Sequence, residues 1–94
     1  MIYGGLKMVS NDVTVKSKIG LHSKNATKFI ECANEFNCNI WVETPEKKIN
    51  AKSLLGVLSL GIGEGTAFKL IAEGDDEKEA VEKLTLLVAE DFNY

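Results

Sequence analysis

The chain contains a single histidine, His22. It lies in the stretch Ile19-Gly20-Leu21-His22-Ser23-Lys24-Asn25-Ala26-Thr27, where a strand-like pattern gives way to a helical one. Downstream, Ala26, Phe29, Ile30, Ala33 and Phe36 recur at helical spacing. Upstream, Val13 and Val15 alternate with Thr14 and Lys16, as in a half-buried strand. His22 is therefore expected at the mouth of a helix, where unpaired backbone N–H groups and the positive end of the dipole favour anions. An imidazole at such a place can carry a phosphoryl group.

The elements that must position this histidine follow from the rest of the pattern. Residues 1–7 read as an arm jointed at Gly4-Gly5, and the domain as residues 8–94. A first strand is expected over Asn11–Lys16 and a helix over Ser23–Glu35, closed by Asn37. Cys38 to Thr44 alternates and is rich in β-branched and aromatic residues, which predicts a strand with Ile40 and Val42 inward and Trp41 exposed on the other side. Pro45 to Lys48 turns into a short strand, Lys48–Ala51.

A brief helix follows from Ser53, which has the chemistry of an N-cap, and the glycines at 61 and 63 end it. Val57 and Leu60 are assigned to its core face. Thr66–Glu73 predicts the fourth strand, with Phe68, Leu70 and Ala72 inward. Asp76 and Glu79 have capping-box spacing ahead of a last helix that buries Ala80, Val81, Leu84, Leu87 and Val88. The order βαββαβα, with strands polar on one side, implies an open-faced α+β sandwich.

Composition narrows the function. Ninety-four residues form one core, and 45% hydrophobic with 27% charged residues is ordinary for a globular domain. A net charge of −3 without a dense basic cluster argues against nucleic acid as a direct partner. All eleven basic residues are lysines, so no guanidinium fork is available for phosphate. Cys32 and Cys38 read as small apolar fillers in a reducing compartment, and no metal site or cofactor is expected. The first seven residues lack the pattern of a signal peptide and no stretch has the length of a membrane span, so a cytoplasmic protein is expected.

Gly20-Leu21-His22 ahead of a helix, followed by Asn50-Ala51-Lys52-Ser53-Leu54-Leu55-Gly56-Val57-Leu58-Ser59-Leu60, resembles the HPr phosphocarriers of the bacterial sugar phosphotransferase system. The tail Leu70-Ile71-Ala72-Glu73-Gly74-Asp75-Asp76-Glu77 is similar too, and the resemblance covers about Met8 to the last helix. It implies a four-stranded antiparallel sheet with helices on one face. It also implies a carrier rather than an enzyme: His22 takes phosphate from enzyme I and yields it to an enzyme IIA domain. Ser53 matches the serine that HPr kinase/phosphorylase modifies in Gram-positive-type members, where the product acts with a catabolite-control repressor.

The helix mouth disfavours the imidazolium and keeps the His22 ring nucleophilic. The N–H groups of Ser23 and Lys24 are expected to hold the phosphoryl oxygens after transfer. The family has His-Ala-Arg-Pro-Ala where this chain reads His22-Ser23-Lys24-Asn25-Ala26. Lys24 offers charge without a fork, a cost of ~1–2 kcal/mol in holding phosphate. Asn25 gives up the preset backbone of proline, and Ser23 is the better N-cap.

Phosphorylated Ser53 would set about −1.5 to −2 charge at a helix start. That charge would stand beside a partner surface of Leu54, Leu55 and Leu58, residues for which an ordinary core role competes.

Two functions follow. One is phosphoryl relay through His22, tuned at Ser53. The alternative is an HPr-like regulator of carbon catabolite repression working through phospho-Ser53; that branch normally lacks the histidine, which this chain keeps. An enzyme with its own turnover has no second catalytic partner for His22 and no nucleotide loop. Gly61-Ile62-Gly63-Glu64-Gly65 reads as a turn.

Overall fold

The computed structural model describes residues 8–16, 20–21, 23–90 and 92; the side chain of Ser23 is outside that description, as are His22 and the arm at residues 1–7. Four strands are formed, β1 (Met8–Thr14), β2 (Asn39–Glu43), β3 (Lys48–Asn50) and β4 (Ala67–Glu73). Three helices are α1 (Ser23–Ala33), α2 (Leu54–Ser59) and α3 (Glu77–Ala89). The sheet is antiparallel in the order β1-β4-β2-β3. Its first and last strands in sequence are therefore neighbours, which ties the two ends of the domain together. The result is an open-faced α+β sandwich, as the pattern of elements implies.

Alternation along each strand decides which face is covered. Val13, Ile40, Val42, Phe68, Leu70 and Ala72 point into the helix layer and are buried. They meet Ala26, Phe29 and Ala33 of α1, Val57 of α2, and Ala80, Val81, Leu84, Leu87 and Val88 of α3, all members of one core. The rings of Phe29 and Phe68 join helix to sheet edge to face, 6.2 Å apart at 83°. The α3 residues expected to be buried are those that are.

Several boundaries and contacts differ from expectation. β1 begins at Met8, three residues early, because its full length pairs with β4 from Met8–Glu73 to Thr14–Ala67. Val15 lies beyond the strand but is still held, its N–H donating to the Thr66 carbonyl and its own carbonyl accepting from Gly65 N–H. α1 stops at Ala33. There the amides of Glu35 and Phe36 bond three residues back, a tightening of the last turn. The Asn34 side chain donates to the Ile30 carbonyl, so Asn34 rather than Asn37 finishes the helix.

The capping box at α3 is absent. Asp76 occupies the N-cap, yet its side chain makes no cap hydrogen bond. Both carboxylate oxygens instead accept from β2's approach, at 2.8 Å from Asn37 N–H and 2.9 Å from Cys38 N–H. Glu77, not Glu79, reaches back, accepting from Gly74 N–H at 2.9 Å. Spacing alone cannot tell a local cap from a long-range tie when the same carboxylate can serve either.

Side-chain exposure brings three corrections. Trp41 is half-buried rather than exposed, with the Lys48 ammonium 4.8 Å from its ring centroid. Its register partner on the open face, Ile71, is only 6% exposed. Leu60, assigned to the core, is only half-buried against it.

Candidate functional site

Two described regions bear on the residues singled out from sequence: the approach to position 22 and the start of α2. The first joins Gly20-Leu21 and the start of α1 to the loop at Ile62-Gly63, some forty residues further along the chain. Gly20 adopts φ +71°, and a Cβ there would overlap the Ile62 carbonyl oxygen and lie 2.7 Å from the Gly63 Cα. Only glycine permits that approach. The neighbouring Leu21 is fully buried and donates its N–H to the same Ile62 carbonyl at 3.0 Å. The loop after α2, read from sequence as a turn, therefore braces the residues ahead of His22.

The second brace comes from α1. Asn25, 4% exposed, is the buried polar residue among those described, and its Nδ2 donates to the Gly20 carbonyl at 3.1 Å. Its loss of proline's rigidity is thus accompanied by a tertiary hydrogen bond that sequence reasoning missed. A signal was present: Asn25, Phe29 and Cys32 follow i, i+4, i+7 spacing and lie on the buried side of α1. Ser23 is the first residue inside α1, and the exposed Lys24 the second. Amides of a helix's first turn have no partner four residues back, so both belong to the anion-favouring end of α1. His22 itself lies outside the described residues.

Ser53 is the N-cap of α2, with φ −101° and ψ 117°, and its Oγ accepts from Gly56 N–H at 3.1 Å. Ahead of it Asn50 organises the turn, Oδ1 accepting from Lys52 N–H at 2.8 Å and the carbonyl from Ser53 N–H at 3.1 Å. Lys52 is drawn away from the serine, donating through Nζ to the Phe36 carbonyl at 2.7 Å.

Ser53 is exposed, as are Leu54 (46%) and Leu55 (81%). Leu58 is half-buried and packs against the core, so the core reading takes much of it and the accessible apolar pair is Leu54 and Leu55. Ser53 stands at the start of α2 and the Ile62 brace follows its end, beyond the C-cap Leu60.

The cysteines belong to neither region. Cys32 and Cys38 are buried and free. Burial first, then a hydrogen bond to the Asp76 carboxylate, pushes the Cys38 thiol up to about 11, which suits an inert filler rather than a nucleophile. Burial and the nearby Glu35 raise Cys32 as well. Among the described residues no group of three or more His, Cys, Asp or Glu side chains is arranged to hold a metal. No helix among them is long and apolar enough to cross a membrane.

Residues 9–90 match the family model described as the PTS HPr component phosphorylation site. The chain belongs to the HPr family. It is 44% identical over 84 residues to the HPr-like protein Crh of Bacillus subtilis (strain 168), covering 89% of this chain and 99% of Crh. Among solved structures it is similar to HPr-C-His from Thermoanaerobacter tengcongensis, with a TM-score of 0.82, 43% identity, and coverage of 95% of this chain and 98% of that one. HPr from Bacillus anthracis str. Ames superposes with a TM-score of 0.84 at 41% identity, covering 86% of this chain and 96% of that one. Identity to Crh and to these HPr structures is nearly equal, so overall resemblance assigns the fold and family without dividing carrier from regulator.

Proposed function

We propose that this HPr-family protein is a phosphoryl carrier of the sugar phosphotransferase system. His22 accepts the phosphoryl group of enzyme I, itself phosphorylated from phosphoenolpyruvate, and passes it to an enzyme IIA domain. A phosphorus–nitrogen bond forms at the imidazole as the bond to the donor breaks, and the reverse occurs on delivery. One observation carries the reading: the only histidine immediately precedes the first residue of α1 and follows two residues braced by Ile62 and Asn25.

The amides of Ser23 and Lys24, at the positive end of an 11-residue helix, support a role in holding the phosphoryl oxygens. The chain is a carrier rather than an enzyme, since each transfer needs a partner on both sides. Incubation with enzyme I and labelled phosphoenolpyruvate is expected to give an acid-labile label that His22→Ala abolishes. No label on the native protein would overturn the proposal.

A second reading is supported by the start of α2 and by the likeness to Crh. An exposed Ser53 beside exposed Leu54 and Leu55 offers a switchable charge next to an apolar contact. In this reading HPr kinase/phosphorylase modifies Ser53, and the product binds a catabolite-control repressor through Leu54, Leu55 and the exposed part of Leu58. The Ser53 hydroxyl already faces the Gly56 N–H, so phosphorylation changes the surface more than the fold. Labelling from ATP at Ser53, followed by repressor binding, tests it; Ser53→Ala leaving both unchanged would count against it.

A further inference from the structure

We propose that Asn25 is a positioning residue for transfer at His22: its buried amide clamps the Gly20 carbonyl and so sets the backbone on which the histidine is carried. The inference deepens the carrier reading and rests on it.

A buried amide is costly unless its hydrogen-bonding groups are used. Asn25 is 4% exposed, and its Nδ2 reaches five residues back along the chain, out of α1, to the carbonyl of Gly20. That carbonyl belongs to the peptide joining Gly20 to Leu21, whose N–H is already committed to Ile62. One peptide unit is thus held on both sides, its oxygen by α1 and its nitrogen by the loop after α2. Gly20 adopts φ +71° where even a Cβ would overlap the Ile62 carbonyl oxygen, so the two segments approach closely.

Backbone orientation two residues before His22 is consequently tied to the orientation of α1, the helix whose first amides face the bound anion in the carrier reading. A clamp of this kind matters for transfer because the attacking ring nitrogen and the helix end must meet the phosphoryl group in a fixed relation. Lys24 cannot supply that relation, since it is exposed and lies on the second residue of the helix. Asn25, one residue further, is turned inward.

The test compares the native protein with Asn25→Ala in three measurements. Amide hydrogen exchange at Leu21 is expected to accelerate about tenfold while that of α3 stays at the native rate. The imidazole nitrogen resonances of His22 are expected to shift. The rate of phosphoryl transfer from enzyme I is expected to fall about tenfold, and Asn25→Ser, whose short hydroxyl cannot span the same gap, is expected to behave alike if the alanine variant does not fold.

A folded variant with native Leu21 exchange, His22 resonances and transfer rate overturns the proposal. So does acceleration of exchange throughout α3, which marks a merely structural contribution. If the native protein takes no phosphate, the carrier reading fails, while Leu21 exchange and the His22 resonances still judge the clamp.

Discussion

Lys24 illustrates what one side chain can and cannot supply. It stands exposed on the second residue of α1, with charge but without the planar two-pronged donor of a guanidinium. In the carrier reading, Lys24→Arg is expected to raise the rate of phosphorylation by enzyme I by about tenfold, the equivalent of one well-formed charge-assisted contact. Single-turnover labelling of the two proteins side by side measures this; equal rates would show that the missing fork does not limit transfer. His22 and Ser53 stand out as candidates, and the departures beside His22 are visible, from residue type and order alone. Asn25 was legible only in part: spacing marks it as inward, but its acceptor is reached through a turn whose geometry no spacing describes.

Among the elements, the loop between α2 and β4 has a larger part than its composition suggests. Gly20 and Gly61 both have positive φ, yet their surroundings differ: a Cβ at Gly61 meets nothing within 4 Å, whereas at Gly20 it collides with the Ile62 backbone. Gly61→Ala is expected to cost about 1–2 kcal/mol, the strain of a left-handed alanine. Gly20→Ala is expected to cost about 3 kcal/mol or more, since overpacking against immovable backbone adds to that strain. Urea unfolding of both variants compares them; equal losses would mean that the loop yields and does not brace. From sequence, Gly20-Leu21 and Gly61-Ile62-Gly63 are two unrelated glycine-bearing turns. Their contact arises because β1 and β4 pair side by side, which brings the segments following one and preceding the other to the same end of the sheet.

For the molecule as a whole, Asp76 ties the start of α3 to the entry of β2, joining the helix layer to the sheet through two backbone N–H groups. The Asn37 hydrogen bond, with further help from Cys38, holds its carboxyl below the ordinary value of 3.8 despite some opposing burial. A folded value lowered in this way stabilises the protein above the unfolded value, and the contribution is lost as pH falls through the folded one. Asp76→Asn imitates the protonated carboxyl. The variant is expected to melt below the native protein at pH 7, with the gap closing as pH drops beneath about 4. Melting temperatures from pH 7 to 3 test this, and a gap independent of pH would overturn the assignment.

The sequence by itself determined the element order, the inward stripe of α3, the inward residues of β2 and β4, and the family. Those features rest on periodicity, which is local and survives without knowledge of neighbours. Tertiary structure alone decided where shared donors and acceptors are used. It turned Asp76 from a cap into a tie, made Asn25 a clamp, half-buried Leu58, and set Ile62 against Gly20. Each polar group has several chemically adequate partners, and only the packed sheet and helices bring one of them within hydrogen-bond reach.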